Sequence, residues 1–253
     1  MSHPMRGTRL LLLVALSACH HGPRPVTTLS PAALLAQARR QFHAGDMNKA
    51  LQSYRRLQFE LAPNDSTLAE AHYYVAETEF QMGQLVEAAH DFRETADQFS
   101  QSSYAPTALL RAGDAQLRMW RNPELDPSYG QSALATYQEL AGRYPGTDAT
   151  ARAQVHVRQL REWFADKDYK NGMFYFRRGA YDSGIIYFKD VLANYPETPR
   201  AVDALLRLAD SYRIIGYKEE RQEACAHLRQ FYPQAQNIER SCPQALPPAG
   251  TTP

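Results

Sequence analysis

The chain has 253 residues, 44% hydrophobic and 22% charged, the balance of a folded soluble protein with room for one or two domains. Its 28 Lys and Arg stand against 27 Asp and Glu, a net charge of +1, so it lacks the basic surplus needed to neutralise a nucleic-acid backbone. That total hides an asymmetry: residues 30–148 carry ten basic and fifteen acidic side chains, residues 149–233 fourteen basic and eleven acidic.

In chain order, Arg6 and Arg9 precede the apolar run Leu10 to Leu16, the charged and hydrophobic regions of a secretory signal, too short to span a bilayer. Leu16-Ser17-Ala18-Cys19 follows and matches the lipobox of bacterial lipoproteins, which predicts a signal peptide over residues 1–18 and lipidation at Cys19. More than one acyl chain on Cys19 would hold the protein stably in one leaflet, where a single chain is marginal. His20 occupies the position where Asp commonly retains such lipoproteins in the inner membrane, so the expected site is the periplasmic face of the outer membrane. Residues 19–29, with Pro23 and Pro25, read as the lipidated cysteine and an extended tether.

From residue 30 onward the punctuation repeats. A first unit shows Phe42, Gly45, Ala50, Tyr54, Leu57 and Pro63, and a second shows Ala76, Phe80, Gly83, Ala88, Phe92 and Phe99. The third lacks the glycine at its turn: a helix over 104–120 and another over 131–144 flank a loop insertion at 121–130 with two prolines and a glycine. The fourth carries the fullest signature, Gly172, Tyr175, Gly179, Tyr181, Gly184, Phe188, Leu192 and Pro196, whose offsets match tetratricopeptide repeats. In that pattern Gly172 and Gly184 let paired helices approach closely, and Tyr181 and Phe188 fill the space between pairs. Between 147 and 178 there is no proline and a single glycine, so the first helix of this unit is expected to be double length, about 30 residues, and to brace the two halves. The last unit shows Leu208, Tyr212, Gly216, Leu228 and Pro233. Tyr-Pro recurs at 144–145, 195–196 and 232–233, each time closing an amphipathic run.

The expected fold is therefore all-α: an α-solenoid of about five tetratricopeptide-like helix pairs, ten helices in all, with one long helix in the fourth pair. Repeats 1–3 occupy 30–146, repeats 4–5 occupy 147–233, and residues 234–253 form a disordered tail rich in Pro, Ala and Thr.

No constellation for catalysis is legible. His72, His90, His156 and His227 fall singly on separate helices, no two Cys or His have metal-ligand spacing, and there is no phosphate-binding glycine loop. Glu77 and Glu79 are too divergent around a helix to work as a carboxylate pair. Neither an enzyme, a cofactor nor a metal is expected. Cys225 and Cys242 either pair and tie the tail to the last helix or, as the preferred reading has it, Cys225 is a small core hydrophobe.

In a stack of helix pairs the first helices line the concave face. With Ala38, Ala76, Gly172 and Ala209 as its small inward positions, that face carries Arg39, Phe42, Tyr73, Glu77 and Phe80 in front, and Tyr169, Met173, Phe176, Arg177 and Arg213 behind. Arginine and aromatic side chains anchor interfaces. The front, with Glu70, Glu77 and Glu79, suits an extended or cationic peptide. The back, with Arg177, Arg178, Lys189, Arg207 and Arg213, suits an acidic patch on a folded partner.

Lipobox, five units and the segment Asn171-Gly-Met-Phe-Tyr-Phe-Arg-Arg-Gly-Ala-Tyr181, followed by Tyr195-Pro196 and Thr198, make residues 30–233 resemble the BamD family, lipoproteins of the outer-membrane β-barrel assembly machine. That resemblance implies docking on the periplasmic domains of a BamA-like barrel insertase through the C-terminal repeats, with Phe176, Arg177, Arg178, Tyr181 and Arg213 facing it. It implies further that client outer-membrane proteins meet a front groove of Arg39, Phe42, Tyr73, Glu77 and Phe80, and that other assembly lipoproteins attend. A repeat lipoprotein coordinating cell-wall synthesis with envelope constriction is the alternative. It is disfavoured because no heptad run precedes the repeats.

Overall fold

The computed structural model describes residues 29–120, 122 and 126–243; the signal peptide, Cys19 and most of the tether lie outside them. All regular structure among these residues is helical. Ten helices form five antiparallel pairs: α1 (Pro31–His43) with α2 (Met47–Glu60), α3 (Leu68–Gln81) with α4 (Leu85–Gln98), and α5 (Tyr104–Met119) with α6 (Ser128–Arg143). α7 (Asp148–Arg177) then pairs with α8 (Tyr181–Asn194), and α9 (Pro199–Ile215) with α10 (Lys218–Phe231). Each helix packs on the next, and first helices also meet along the stack: α3 with α5, α5 with α7, α7 with α9. This is the expected solenoid.

The repeat punctuation has local causes. Ser30 caps α1 by accepting from the Ala33 amide at 3.3 Å, with Pro31 in the first turn, where it has no amide bond to lose. Gly45, Gly83, Gly179 and Gly216 turn the first helix into its partner in every pair but the third, at φ of 77 to 85°, a left-handed conformation that other residues adopt only with strain. The Tyr-Pro tyrosines sit at the C-caps of α6, α8 and α10. They do more than mark an end: the Tyr144 hydroxyl donates to the Ser100 carbonyl at 3.1 Å and the Tyr232 hydroxyl to the Pro196 carbonyl at 3.4 Å. Each thus ties the close of one pair to the close of the pair before it.

Packing follows the same logic. A Cβ on Gly172 would stand 2.5 Å from the Phe188 ring, and one on Gly184 would stand 3.2 Å from the Gly172 carbonyl, so α7 and α8 touch where both lack side chains. The third pair, which has no turn glycine, keeps the packing one: a Cβ on Gly113 would lie 2.4 Å from the Tyr137 ring. Phe188 and Tyr137 are fully buried.

Three cores run down the stack, one in α1–α3, one in α3–α7 and one in α7–α11. α7, 30 residues long, supplies Ala153, Leu160 and Phe164 to the middle core and Ala165, Tyr169 and Met173 to the last, so it braces the halves as its length predicts.

Two expectations need correction. The insertion is shorter than 121–130, because α6 already begins at Ser128: Asp126 caps the turn by accepting from the Ser128 amide and hydroxyl at 2.9 and 2.6 Å. Nor is the segment from 234 without structure. A short helix α11 (Ile238–Ser241) follows Asn237, and Cys242 forms a disulfide with Cys225, against the preferred reading of a free core cysteine. Ile238 and Cys242 pack on the last core, and that apolar contact is what the composition of the tail conceals. Residues 244–253 lie outside the described ones.

Candidate functional site

The front face is built from α1, α3 and α5, and its buried carboxylates are already paired. Arg39 on α1 grips Glu70 on α3 through two bonds of 2.6 Å. Arg111 on α5 grips Glu77 on α3 at 2.7 and 2.8 Å and also reaches Asp114, while Arg55 on α2 meets Glu79 at 2.7 Å. Burial works against the charge of Arg111, yet Glu77 and Asp114 more than restore it and hold its guanidinium above its ordinary value. Its face lies 3.9 Å from the centre of the Phe80 ring, a desolvated cation–π contact. Glu77 and Glu79 leave α3 toward different helices, which keeps the two carboxylates apart.

The front aromatics are packing residues to a large degree. Phe42 stands edge-on to Tyr74 at 5.2 Å, Tyr73 lies among Phe92 and Tyr104, and burial pushes the Tyr73 phenol up. The expected free acidic groove is therefore absent: Glu70, Glu77 and Glu79 are almost wholly buried and each has its arginine.

Behind, the balance changes. A cleft of about 600 Å³ is lined by Tyr169, Lys170, Met173, Phe174, Arg177, Arg178 and Arg200. Within it Arg200 bridges α9 to Asp166 on α7 at 2.6 Å, and Lys170 meets the same carboxylate at 3.0 Å; burial raises the Asp166 carboxyl, but these two donors hold it below its ordinary value. Among the described residues, Arg177 and Arg178 have no carboxylate partner. Arg178 lies flat on the Phe174 ring at 3.5 Å and donates to the Phe174 carbonyl at 3.3 Å, which fixes its fork while leaving its charge unmatched. Phe176 and Tyr181 stand edge to face at 5.3 Å, with Phe176 packed on the last core under Arg207. Arg213 is exposed and lines a different cavity, beside Tyr217 and Lys218. The residues expected to act together behind thus fall into two places: Arg177 and Arg178 in one cleft, Arg213 in another, with Phe176 and Tyr181 serving the packing near the first.

Sequence reasoning missed Phe174 and Arg200 in the cleft and Arg111 in front. One signal was available: Arg39 and Glu70 are 31 residues apart, and both Glu77–Arg111 and Asp166–Arg200 are 34 apart. Opposite charges one repeat apart on first helices meet because the repeat stacks them. Among the described residues, His90, Asp91 and Glu94 on α4 place metal-type donors within 4.8 Å of one another on an exposed face; a search of Cys and His pairs alone passes over them.

Chemically, arginine forks beside aromatic rings are recognition groups: they hold fixed charge and planar donors and do not exchange protons near neutral pH.

Residues 28–228 match the family described as YfiO, outer membrane lipoprotein. Among curated proteins, the chain is similar to the outer membrane protein assembly factor BamD of Caulobacter vibrioides, 29% identical over 108 residues that cover 43% of this chain and 35% of that protein. The factor of the same name from Vibrio cholerae is 29% identical over 91 residues, 36% of this chain and 38% of that one. The matched stretch thus spans little more than a third of these relatives' own length. Among solved structures, a TPR repeats protein from Bacteroides fragilis aligns over 85% of this chain and 96% of its own, at 16% identity and a TM-score of 0.46.

Proposed function

Since the chain belongs to the YfiO family of outer membrane lipoproteins, we propose that it is a lipid-anchored scaffold of β-barrel assembly that works by holding other polypeptides and not by catalysis. Residues 1–18 are its signal peptide, Cys19 carries the lipid, and residues 19–29 tether the solenoid to the periplasmic face of the outer membrane. No helix among the described residues is long and apolar enough to cross a membrane, so Cys19 supplies the attachment in this reading.

The repeats at 147–233 dock on a BamA-like insertase and those at 30–146 receive outer-membrane protein clients. The observation that carries the docking half is the pair Arg177 and Arg178, unmatched by any carboxylate among the described residues, in a cleft whose other cations, Lys170 and Arg200, are held by Asp166 and whose walls include Tyr169, Met173 and Phe174. An acidic patch on a folded partner completes those charges, and the aromatic floor adds apolar area. In front, Arg39 and Glu77 are paired internally and Arg118 stands over the Phe80 ring, so clients meet Phe42, Tyr73 and Phe80 chiefly through backbone and apolar contacts.

The test is recovery of the insertase from detergent-solubilised envelopes with the lipidated protein as bait. Arg177→Glu with Arg178→Glu should lower recovery about tenfold or more, with helical circular dichroism unchanged. Undiminished recovery would remove this surface from the docking site. Metabolic labelling with a fatty-acid analogue should mark the wild type and spare Cys19→Ser.

A further inference from the structure

A second cavity, of about 670 Å³, lies between α9, α10 and the α11 segment. Arg213, Lys218, Arg221 and Arg229 line it with Tyr212 and Tyr217, and no lining residue is acidic. Four cations around one space repel each other, and none of the four has an ion-pair partner within 4.0 Å among the described residues. Arg213 and Lys218 are exposed, and among the described residues neither has an ion-pair partner. Several arginines elsewhere that join helices meet carboxylates, as Arg39, Arg111, Arg143 and Arg200 do.

The two deeper arginines are held in place without being neutralised. Arg221 donates through Nη2 to the Ser241 carbonyl at 3.2 Å, and Arg229 donates through Nη2 to the Cys242 carbonyl. Those carbonyls are pinned there by the Cys225–Cys242 disulfide, whose sulfurs form part of the cavity wall. Nε of both guanidiniums is buried and has no partner. A buried N–H without an acceptor is unfavourable. The disulfide holds the segment whose carbonyls fix one arm of each fork, and the Nε of each stays without a partner among the described residues.

We infer that this cavity binds an extended peptide segment bearing two or more carboxylates. The guanidinium forks match carboxylate geometry, and the charges are set before the ligand arrives, so little ordering is needed on binding. A peptide fits better than a small inorganic anion. The space is of the size that encloses an organic ligand, and Tyr212 and Tyr217, stacked with ring centres 6.3 Å apart, give it an aromatic wall that phosphate has no use for. The site is separate from the Arg177–Arg178 cleft and stands whether or not that cleft docks an insertase.

The experiment measures fluorescence anisotropy of a short labelled peptide of alternating Asp and Glu with the full-length protein in detergent. Its twin of Asn and Gln and inorganic phosphate serve as comparisons. The acidic peptide should bind, its affinity should fall as salt rises, and the amide twin should bind at least about tenfold more weakly. Arg213→Glu with Lys218→Glu, both at exposed positions, should weaken the acidic peptide about tenfold or more while circular dichroism stays constant. The Arg177→Glu, Arg178→Glu protein should bind it as the wild type does. Equal binding of the two peptides, undiminished binding by the Arg213 and Lys218 variant, or loss confined to the Arg177 and Arg178 variant would each overturn the assignment. So would displacement of the peptide by phosphate at equal concentration, which would mark a simple anion hole.

Discussion

The front of the solenoid, α1 to α6, and the back, α7 to α11, use the same residue types for different ends. The front is richer in acids, yet its buried acids are consumed internally: Glu70, Glu77 and Glu79 each hold an arginine from another helix. The back is mildly basic and keeps part of that charge unspent, at Arg177 and Arg178 in one cleft and around the α11 cavity. Net charge along the chain thus misplaces the available charge. What a partner can feel is the residue left after helices have paired, and pairing strengthens with burial because water no longer screens it.

The comparison can be broken first at the packing seats, where the halves agree. Phe188→Ala behind and Tyr137→Ala in front each empty a fully buried ring position against a glycine, and each should cost about 3–5 kcal/mol in urea unfolding. A small loss in one half alone would show that the stack does not share one packing rule. The next largest effect separates them. Arg111→Ala strands the buried Glu77 carboxylate and should cost about 3 kcal/mol, whereas Arg177→Ala should stay within about 0.5 kcal/mol, having no ion pair to lose. A comparable loss for Arg177→Ala would mean the back arginines are structural after all.

The disulfide gives a third lever, confined to the back. Closing a loop across 17 residues, it should contribute about 3 kcal/mol, so Cys225→Ser with Cys242→Ser should lower the unfolding free energy in urea by that amount while the α1–α6 helices keep their hydrogen-exchange protection. The smallest effect belongs to the front and depends on pH. Burial first, and then the neighbouring Asp91, push the Glu79 carboxyl up to about 7. A carboxyl that keeps its proton longer in the folded chain than in the unfolded one makes stability fall as pH rises from 4.5, its ordinary value, through about 7. Glu79→Gln has no such proton to lose and still offers Arg55 an acceptor. Its unfolding free energy in urea should therefore decline less over that window and exceed the wild type above pH 7, by about 1 kcal/mol. Parallel curves would show that Glu79 ionises without cost.

Much of the architecture was legible because its causes are local. Glycines at 45, 83, 179 and 216 turn the chain within one or two residues, and the glycine- and proline-poor stretch that predicts α7 is satisfied by hydrogen bonds inside the helix itself. The candidate site was legible in part. Arg177 and Arg178 were found where unmatched charge remains, whereas Arg213 was grouped with them although it lines another cavity, and the front glutamates looked free when they are not.

By itself, then, the sequence determined the number of pairs, the order of the helices and the double length of α7. Only the tertiary structure decided which arginine meets which carboxylate, that Cys225 and Cys242 are joined, and that four cations surround one cavity. These depend on the rise and rotation from one helix pair to the next, which bring together side chains 31 or 34 residues apart. Helix period and turn residues fix what happens within a pair; the sum of weak packing contacts between pairs fixes where two charges meet.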